Sequence, residues 1–259
     1  MKDFYTENDV IRCAALDGIP FIAHGFFTRN GGVSTLPHTA SMNLGYNRGD
    51  PDGAVDENFR VLRKKLGIGD ALIASAHQAH TKKVVYADGS AEHFDSVDGF
   101  VTDRANVALL VKTADCQPIL LCDEKARIIG ACHAGWRGTV AGIAAETVAA
   151  MTKLGADPQN VKAACGPCIS SCCFEVGQDF VDTVAYFCDE FLEFITKENG
   201  KYRADIKAMN KHILMCAGVP EKNIYVSDEC TFCQPDKFFS HRYSKCLRGT
   251  MGSVIMMKQ

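Results

Sequence analysis

The chain has 259 residues, 47% of them hydrophobic and 23% charged, with a formal net charge of -3 at pH 7. That length and apolar fraction can bury a sizeable core, while the near-neutral balance excludes the broad basic field of a nucleic-acid binder. No apolar run approaches the ~20 residues that span a bilayer, so neither nucleic acid nor membrane is expected as a partner.

The first residues, MKDFYTENDV, lack the basic start and apolar stretch of a signal peptide, and a cytoplasmic protein is expected. Thirteen cysteines are an odd number in a long chain. They read as free thiols in a reducing compartment, many of them packed as small hydrophobes, rather than as a disulfide framework.

In chain order, IPFIAHGFFT (19–28) reads as a strand running into the Gly-rich loop RNGGVST. DGAVDENFRVLRKKLG (52–67) has apolar residues at 55, 59, 62 and 66, the spacing of a helix, and Gly67 ends it. ALIASAHQAHTKKVVYA gives a strand, a polar break and a second strand. VDGFVTD (97–103) reads as strand or turn. VALLVKTADCQPILLCD holds two apolar runs split by KTADCQP, and RIIGACHAG is a further strand. Helical spacing runs from Thr139 to Leu154 and stops at Gly155. VKAACGP is a strand, FEVGQDFVDTVAYFCDEFLEFI an amphipathic helix, DIKAMNKHILMCAGV a helix closed by Gly218, and NIYVSDECT a strand. Strands alternating with helices, together with back-to-back strands, predict an α/β fold: a single layered domain over 1–259, with a mixed β-sheet and packed helices.

Three segments place metal-ligating side chains where strands end. SAHQAHT carries His77 and His80, KTADCQP carries Asp115 and Cys116, and GACHAGW carries Cys132 and His133. Two imidazoles and one thiolate form a three-ligand set of the kind zinc accepts while keeping a fourth position open, where a bound water is acidified. Spacing alone does not choose between His77 and His80. A zinc-protease pair fails because Gln78, not Glu, follows His77. A nucleobase-deaminase signature fails because Ala134 and Gly135 follow His133, and because Pro167-Cys168 is one residue too far from Cys172.

Cys165, Cys168, Cys172 and Cys173 crowd one loop, and Cys230 and Cys233 form a C-x-x-C. They read either as buried thiols in tight turns or as a structural zinc site. In TRNGGVST, Arg29 beside a double glycine is a candidate anion fork. FFSHRYS sets His241 and Arg242 beside two phenylalanines, a mixed apolar and polar edge suited to a base or sugar. In the stretch from Arg127 to Thr139, Trp136 reads as a packing anchor for the turn after His133. Arg137 opens the following helix.

Taken together, FFTRNGGVS, SMNLGYNRGD, HQAH, TADCQPILL, HAGWRG, GPCISSCCFEVG and CTFCQPDKFFSHR resemble the successive signature blocks of the YfiH-like family. This family is also called the multicopper polyphenol oxidase or laccase-domain family. The resemblance runs from about Phe26 to Ser253. It implies a metal site at His80, Cys116 and His133, usually holding zinc, with copper as the other candidate. It implies phosphorolysis of adenosine, inosine and methylthioadenosine, and deamination of adenosine, so the expected partners are a nucleoside and phosphate, the chain acting as a monomer. On this reading Cys116, His133 and Asp115 carry the chemistry, with Asp115 a proton carrier or partner of the ligand set. Arg29, Ser41 and Asn43 hold phosphate, and Arg242 contacts substrate. The chain departs from the family pattern at Thr81, where many members have glycine, and at Arg248-Gly249-Thr250, where many carry Thr-Gly-Arg.

Two rival readings follow from the same residues. Cys116 and His133 can serve as nucleophile and base of a cysteine hydrolase or amidase. A copper-dependent polyphenol oxidase is the other, but a four-copper centre needs more than the eight histidines here, generally as His-x-His pairs, and the chain has no such pair.

Overall fold

The computed structural model describes residues 2–259. Two large sheets dominate it. The first has seven strands in the order Phe4–Glu7, Val10–Cys13, Ile22–Phe27, Met251–Met257, Val107–Thr113, Leu72–His77, His93–Asp95. The second has six, in the order Ile224–Val226, Val161–Cys165, Gln117–Asp123, Ile128–Ala134, Gly99–Thr102, Val84–Tyr86. Both sheets are mixed: Leu72–His77 runs parallel to Val107–Thr113, and Gln117–Asp123 antiparallel to Ile128–Ala134. A small three-stranded sheet joins Glu175–Val176, Lys201–Ala204 and Ile195–Glu198.

Because strand side chains alternate between faces, each central strand feeds two cores. In Val107–Thr113, Leu109 and Val111 point between the two sheets, while Ala108 and Leu110 point outward beneath the helix Asp52–Leu66. In Gln117–Asp123, Leu120 and Cys122 face the intersheet core, while Ile119 and Leu121 meet the helices Ile143–Lys153 and Ile206–Cys216. The layers therefore run helix, sheet, sheet, helix. Covering both faces of each sheet explains why these strands read as continuous apolar runs rather than alternating ones.

The helix Asp52–Leu66 buries Val55, Asn58, Leu62 and Leu66, and Gly67 closes it in the left-handed conformation at φ 62°. Asn58 is the polar member of that stripe. Its Oδ1 accepts from the Val33 N–H at 2.8 Å, and its Nδ2 donates to the Ser41 and Asn43 carbonyls at 3.1 and 2.9 Å. The Gly-rich loop is thereby fastened to the helix.

Two segments differ from the helical spacing read in the sequence. Over 139–154 the structure begins helix earlier, at Trp136–Val140, and breaks it where Gly142 takes φ 85° before Ile143–Lys153. FEVGQDFVDTVAYFCDEFLEFI is one element in the sequence reading and four in the structure: strand Glu175–Val176, helix Gln178–Phe187, a 3-10 turn Asp189–Phe194 and strand Ile195–Glu198. Phe180, Val184 and Phe191 keep roughly helical spacing through this break because all three reach the same core.

All thirteen cysteines are free thiols. Cys13, Cys122 and Cys132 are wholly buried, and burial pushes their thiols up to about 11, 12 and 12. They pack as hydrophobes. No helix among the described residues is long and apolar enough to cross a membrane.

His24, on the strand Ile22–Phe27, is fully buried and accepts a hydrogen bond from the Cys13 N–H at Nε2, 2.9 Å away. Burial pushes its pKa from 6.5 down to about 4. Between those values the unfolded chain binds the proton that the folded one refuses. This contribution to stability is complete above about pH 6.5 and is lost as the pH falls toward 4, a total of about 3 kcal/mol. Urea midpoints for the wild type and His24→Gln should therefore converge as pH drops through this window; parallel curves would show that His24 is not held neutral.

Candidate metal centre and its cleft

The chain passes from the first sheet to the second at three short crossings: 78–83, 96–98 and 114–116. Each carries one residue of the site, namely His80, Asp98 and Cys116. A fourth, His133, comes from the strand Ile128–Ala134 itself, paired with Pro118 in register. The ligating atoms of His80, Cys116 and His133 all lie within 4.8 Å of one another. The His80 and His133 rings meet edge to face with centroids 4.8 Å apart.

The backbone is bent to achieve this. His80 has φ 58° and Asp115, just before Cys116, has φ 91°, conformations uncommon for residues with a Cβ. Asp98 holds the first of these bends. Its buried carboxylate accepts from the N–H groups of Ala79, His80 and Thr81 at 3.2, 3.1 and 2.7 Å, and from the Thr81 hydroxyl at 2.8 Å. Its Oδ1 also accepts from His133 Nδ1 at 2.8 Å, while its carbonyl accepts the His133 N–H. The carboxylate fixes the imidazole's orientation and leaves Nε2 for a ligand, the support that metal-binding histidines usually have. Thr81 contributes a hydroxyl that glycine at this position would lack.

The charges follow from this geometry. Burial pushes the Asp98 carboxyl up, but hydrogen bonds from His133 and Thr81 prevail and hold it at about 2. Burial pushes His133 down, but the Cys116 sulfur and the Asp98 carboxylate outweigh it and raise the imidazole to about 9. His80 is pushed down by burial and by repulsion from His133.

Among the sequence candidates, His80 joins the cluster, whereas His77 is exposed at the end of its strand and lines the cleft without joining it. Asp115 stands beside Cys116, but both its oxygens are engaged: Oδ1 accepts from the Thr231 hydroxyl at 2.6 Å and Oδ2 from the Arg242 N–H at 2.7 Å. It latches two loops together, and its chemistry as a proton carrier would compete with those bonds. Arg242 reaches the cleft.

Arg29, Ser41 and Asn43 do not reach it, which corrects their assignment to phosphate. The Arg29 guanidinium donates to the carbonyls of Ala40 and Pro235 at 2.9 and 2.8 Å and lies over the Phe239 ring. The Ser41 hydroxyl accepts from the Gly32 N–H, and Asn43 is buried between Gly45, Asp50 and Thr250. An arginine that satisfies carbonyls has the same local sequence as one that binds anions.

The cleft has a volume of about 810 Å³. Its apolar lining includes Trp136, Phe174 and Phe180; Trp136 and Phe180 pack with ring centroids 5.0 Å apart. Its basic lining includes Arg48, Lys112 and Arg248. Burial lowers the pKa of Lys112 and of Arg248, and repulsion from Arg48 adds to both shifts. The buried Arg248 Nε has no hydrogen-bond partner among the described residues. Sequence reading did not select Asp98, Arg48 or Lys112; each looks like an ordinary charged residue until the crossings converge.

Gly135 is demanded by space. A methyl group there would collide with His80 Nδ1, lie 2.9 Å from His80 Cε1 and touch Cys116 Sγ at 3.2 Å. Gly135→Ala should displace His80 and weaken metal binding, and Asp98→Asn should weaken it by about 10–100-fold through loss of the orienting carboxylate. Competition with a chromophoric chelator measures both; wild-type affinity in both variants would refute the role of this packing.

Residues 23–258 match the family described as multi-copper polyphenol oxidoreductase laccase. The chain is 36% identical over 257 residues to purine nucleoside phosphorylase YlmD of Geobacillus stearothermophilus, covering 95% of this chain and 92% of that one. It is 34% identical over 228 residues to adenosine deaminase RL5 from an unknown prokaryotic organism, covering 84% and 87%. The crystal structure of Bacillus licheniformis hypothetical protein YfiH superposes over all of both chains with a TM-score of 0.91 at 31% identity. With its signature blocks, its mixed α/β sheets and nearly its whole length matched, the chain belongs to the YfiH-like, laccase-domain family.

Proposed function

We propose that the protein is a zinc-dependent purine nucleoside enzyme that carries out phosphorolysis of adenosine, inosine and methylthioadenosine, and deamination of adenosine. The observation that carries this reading is the convergence of His80, Cys116 and His133 within a cleft of nucleoside size, in a chain whose relatives bear those enzyme names. Two nitrogens and one sulfur suit zinc, and the Asp98–His133 pair supplies the orienting carboxylate such sites use. Zinc held there would supply Lewis acidity beside the bound base.

The chain's own residues do the rest. Trp136, Phe174 and Phe180 offer aromatic surface to a purine. Arg48, Lys112 and Arg248 gather positive charge where phosphate can be held. They replace Arg29, Ser41 and Asn43 in this role. Arg242 donates to the Glu175 carbonyl at 2.9 Å and closes the cleft beside Phe174. Copper also accepts two histidines and a cysteine. Among the described residues one such set is gathered; His77, His93 and His241 also line the cleft but join no second cluster of ligands of the kind a multi-copper centre needs.

A second reading is favoured by one observation: Cys116, His133 and Asp98 are also ordered as the nucleophile, base and orienting acid of a cysteine hydrolase. Metal content separates the two, since a thiolate committed to zinc is a poor free nucleophile.

Purified protein should release free base from inosine only when phosphate is present, and Cys116→Ala should lose both the metal of the His80, Cys116 and His133 set and this activity. Metal loss with full phosphorolysis would reject the zinc-centred reading, and inactivation of a metal-free enzyme by thiol alkylation would establish the hydrolase. Removing Arg48 and Arg248 together should raise the KM for phosphate by about tenfold or more, the worth of one charge-assisted hydrogen bond, while phosphate-independent deamination persists. An unchanged phosphate KM would place the anion elsewhere.

A further inference from the structure

We infer that Cys172, Cys173, Cys230 and Cys233 form a second metal site, a tetrathiolate zinc centre that clamps two loops of the cleft. The four sulfurs lie within 4.8 Å of one another. Cys172 and Cys173 Sγ are 3.6 Å apart, Cys172 and Cys233 3.7 Å, and Cys173 and Cys233 3.3 Å. A disulfide brings sulfurs to about 2.0 Å, whereas four sulfurs about 2.3 Å from one zinc stand roughly 3.8 Å apart at the corners of a tetrahedron. The observed spacings sit near the second value.

The ligands come in two pairs about 60 residues apart in sequence, so the arrangement is tertiary and not the by-product of one turn. Cys230 and Cys233 are a C-x-x-C, the usual half of a structural zinc site. Cys172 and Cys173 sit on a turn in which the Cys173 and Phe174 N–H groups both donate to the Ser170 carbonyl. The Ser170 N–H in turn points at Cys230 Sγ, 3.4 Å away, and amide donors of this kind offset the charge of a ligating thiolate. The guanidinium of Arg203 binds the Cys172 carbonyl and brings a cation to the same corner. Two neighbouring cysteines do not join the cluster. Cys165 ends the strand Val161–Cys165 and packs in the core, and Cys168, also in the core, meets Cys230 through its backbone in a bridge rather than through the sulfur cluster.

The site's place explains what it would do. Thr231 lies inside the C-x-x-C; its hydroxyl holds Asp115, and its N–H donates to the Cys168 carbonyl at 3.1 Å. The first loop continues into Phe174 and Glu175, and the second into His241 and Arg242, all of which line the cleft. Zinc at the four sulfurs would tie both loops together behind the residue that precedes Cys116, a structural centre distinct from the His80, Cys116 and His133 set.

Metal analysis of protein purified under reducing conditions tests this directly. The wild type should hold one zinc at this site besides any at the histidine set. Cys172→Ser with Cys233→Ser should lose one equivalent and unfold at lower temperature. His80→Ala with Cys116→Ala should keep the tetrathiolate zinc and, reconstituted with cobalt, should show the intense thiolate charge-transfer bands of four-sulfur coordination. The two variants remove different ions, so failure of one site leaves the other standing. Should the double-serine variant fold poorly, mass mapping and thiol titration of the native wild type decide. Four thiols shielded until a chelator is added support the site; four freely reacting thiols, or a disulfide among them, overturn it.

Discussion

One buried carboxylate organises the site. Asp98 sits where the chain crosses between the sheets, accepts from three successive N–H groups of the 79–81 turn, and also accepts a hydrogen bond from His133 Nδ1. A carboxylate without such partners would be costly to bury. With them it stays ionised and fixes two members of the His80, Cys116 and His133 cluster at once, since the turn it pins is the one that carries His80. Removing the charge would free an imidazole and relax a left-handed bend together, which is why the geometry of the cluster depends on a residue outside it.

The surrounding architecture makes this economy feasible. Both sheets are buried on both faces, so their strands offer few positions for polar groups. Site residues gather at the crossings between sheets, where His80, Asp98 and Cys116 converge beside the buried His133. Gly135 leaves the space that His80 occupies, and Asp115 ties the Cys116 crossing to Thr231 and Arg242. The cleft that results combines aromatic surface with a cluster of basic side chains, the pairing that a nucleoside and an anion require of a common site.

Much of this was legible before any coordinates. Cys116 and His133 were visible because polar, metal-binding residues end otherwise apolar runs, and the family resemblance selected His80 over His77. The physical reason for that selection lies in backbone shape: the φ of 58° at His80 turns its ring toward the cluster, whereas His77 still belongs to the strand. Asp98 was illegible, because VDGFVTD gives no local sign that its acid will meet donors from two other segments. Arg29 misled because the conformational freedom of its neighbouring glycines serves a loop packed on Asn58 as well as it would serve an anion cradle. The central strand Met251–Met257, covered on both faces and interrupted by Gly252, offered no alternation to read. The helix drawn through residue 195 failed because buried aromatics kept its period after the backbone had left it.

The seam between the two sheets also sets the mechanics of the molecule. His80 hangs from a strand of the first sheet, while His133 belongs to the second and Cys116 bridges them. Any slide of one layer over the other would pull the triangle of donor atoms apart, so shear is denied to this scaffold as a working motion. Substrate entry and product exit must then proceed without relative displacement of the two layers, the interior behaving as a rigid anvil.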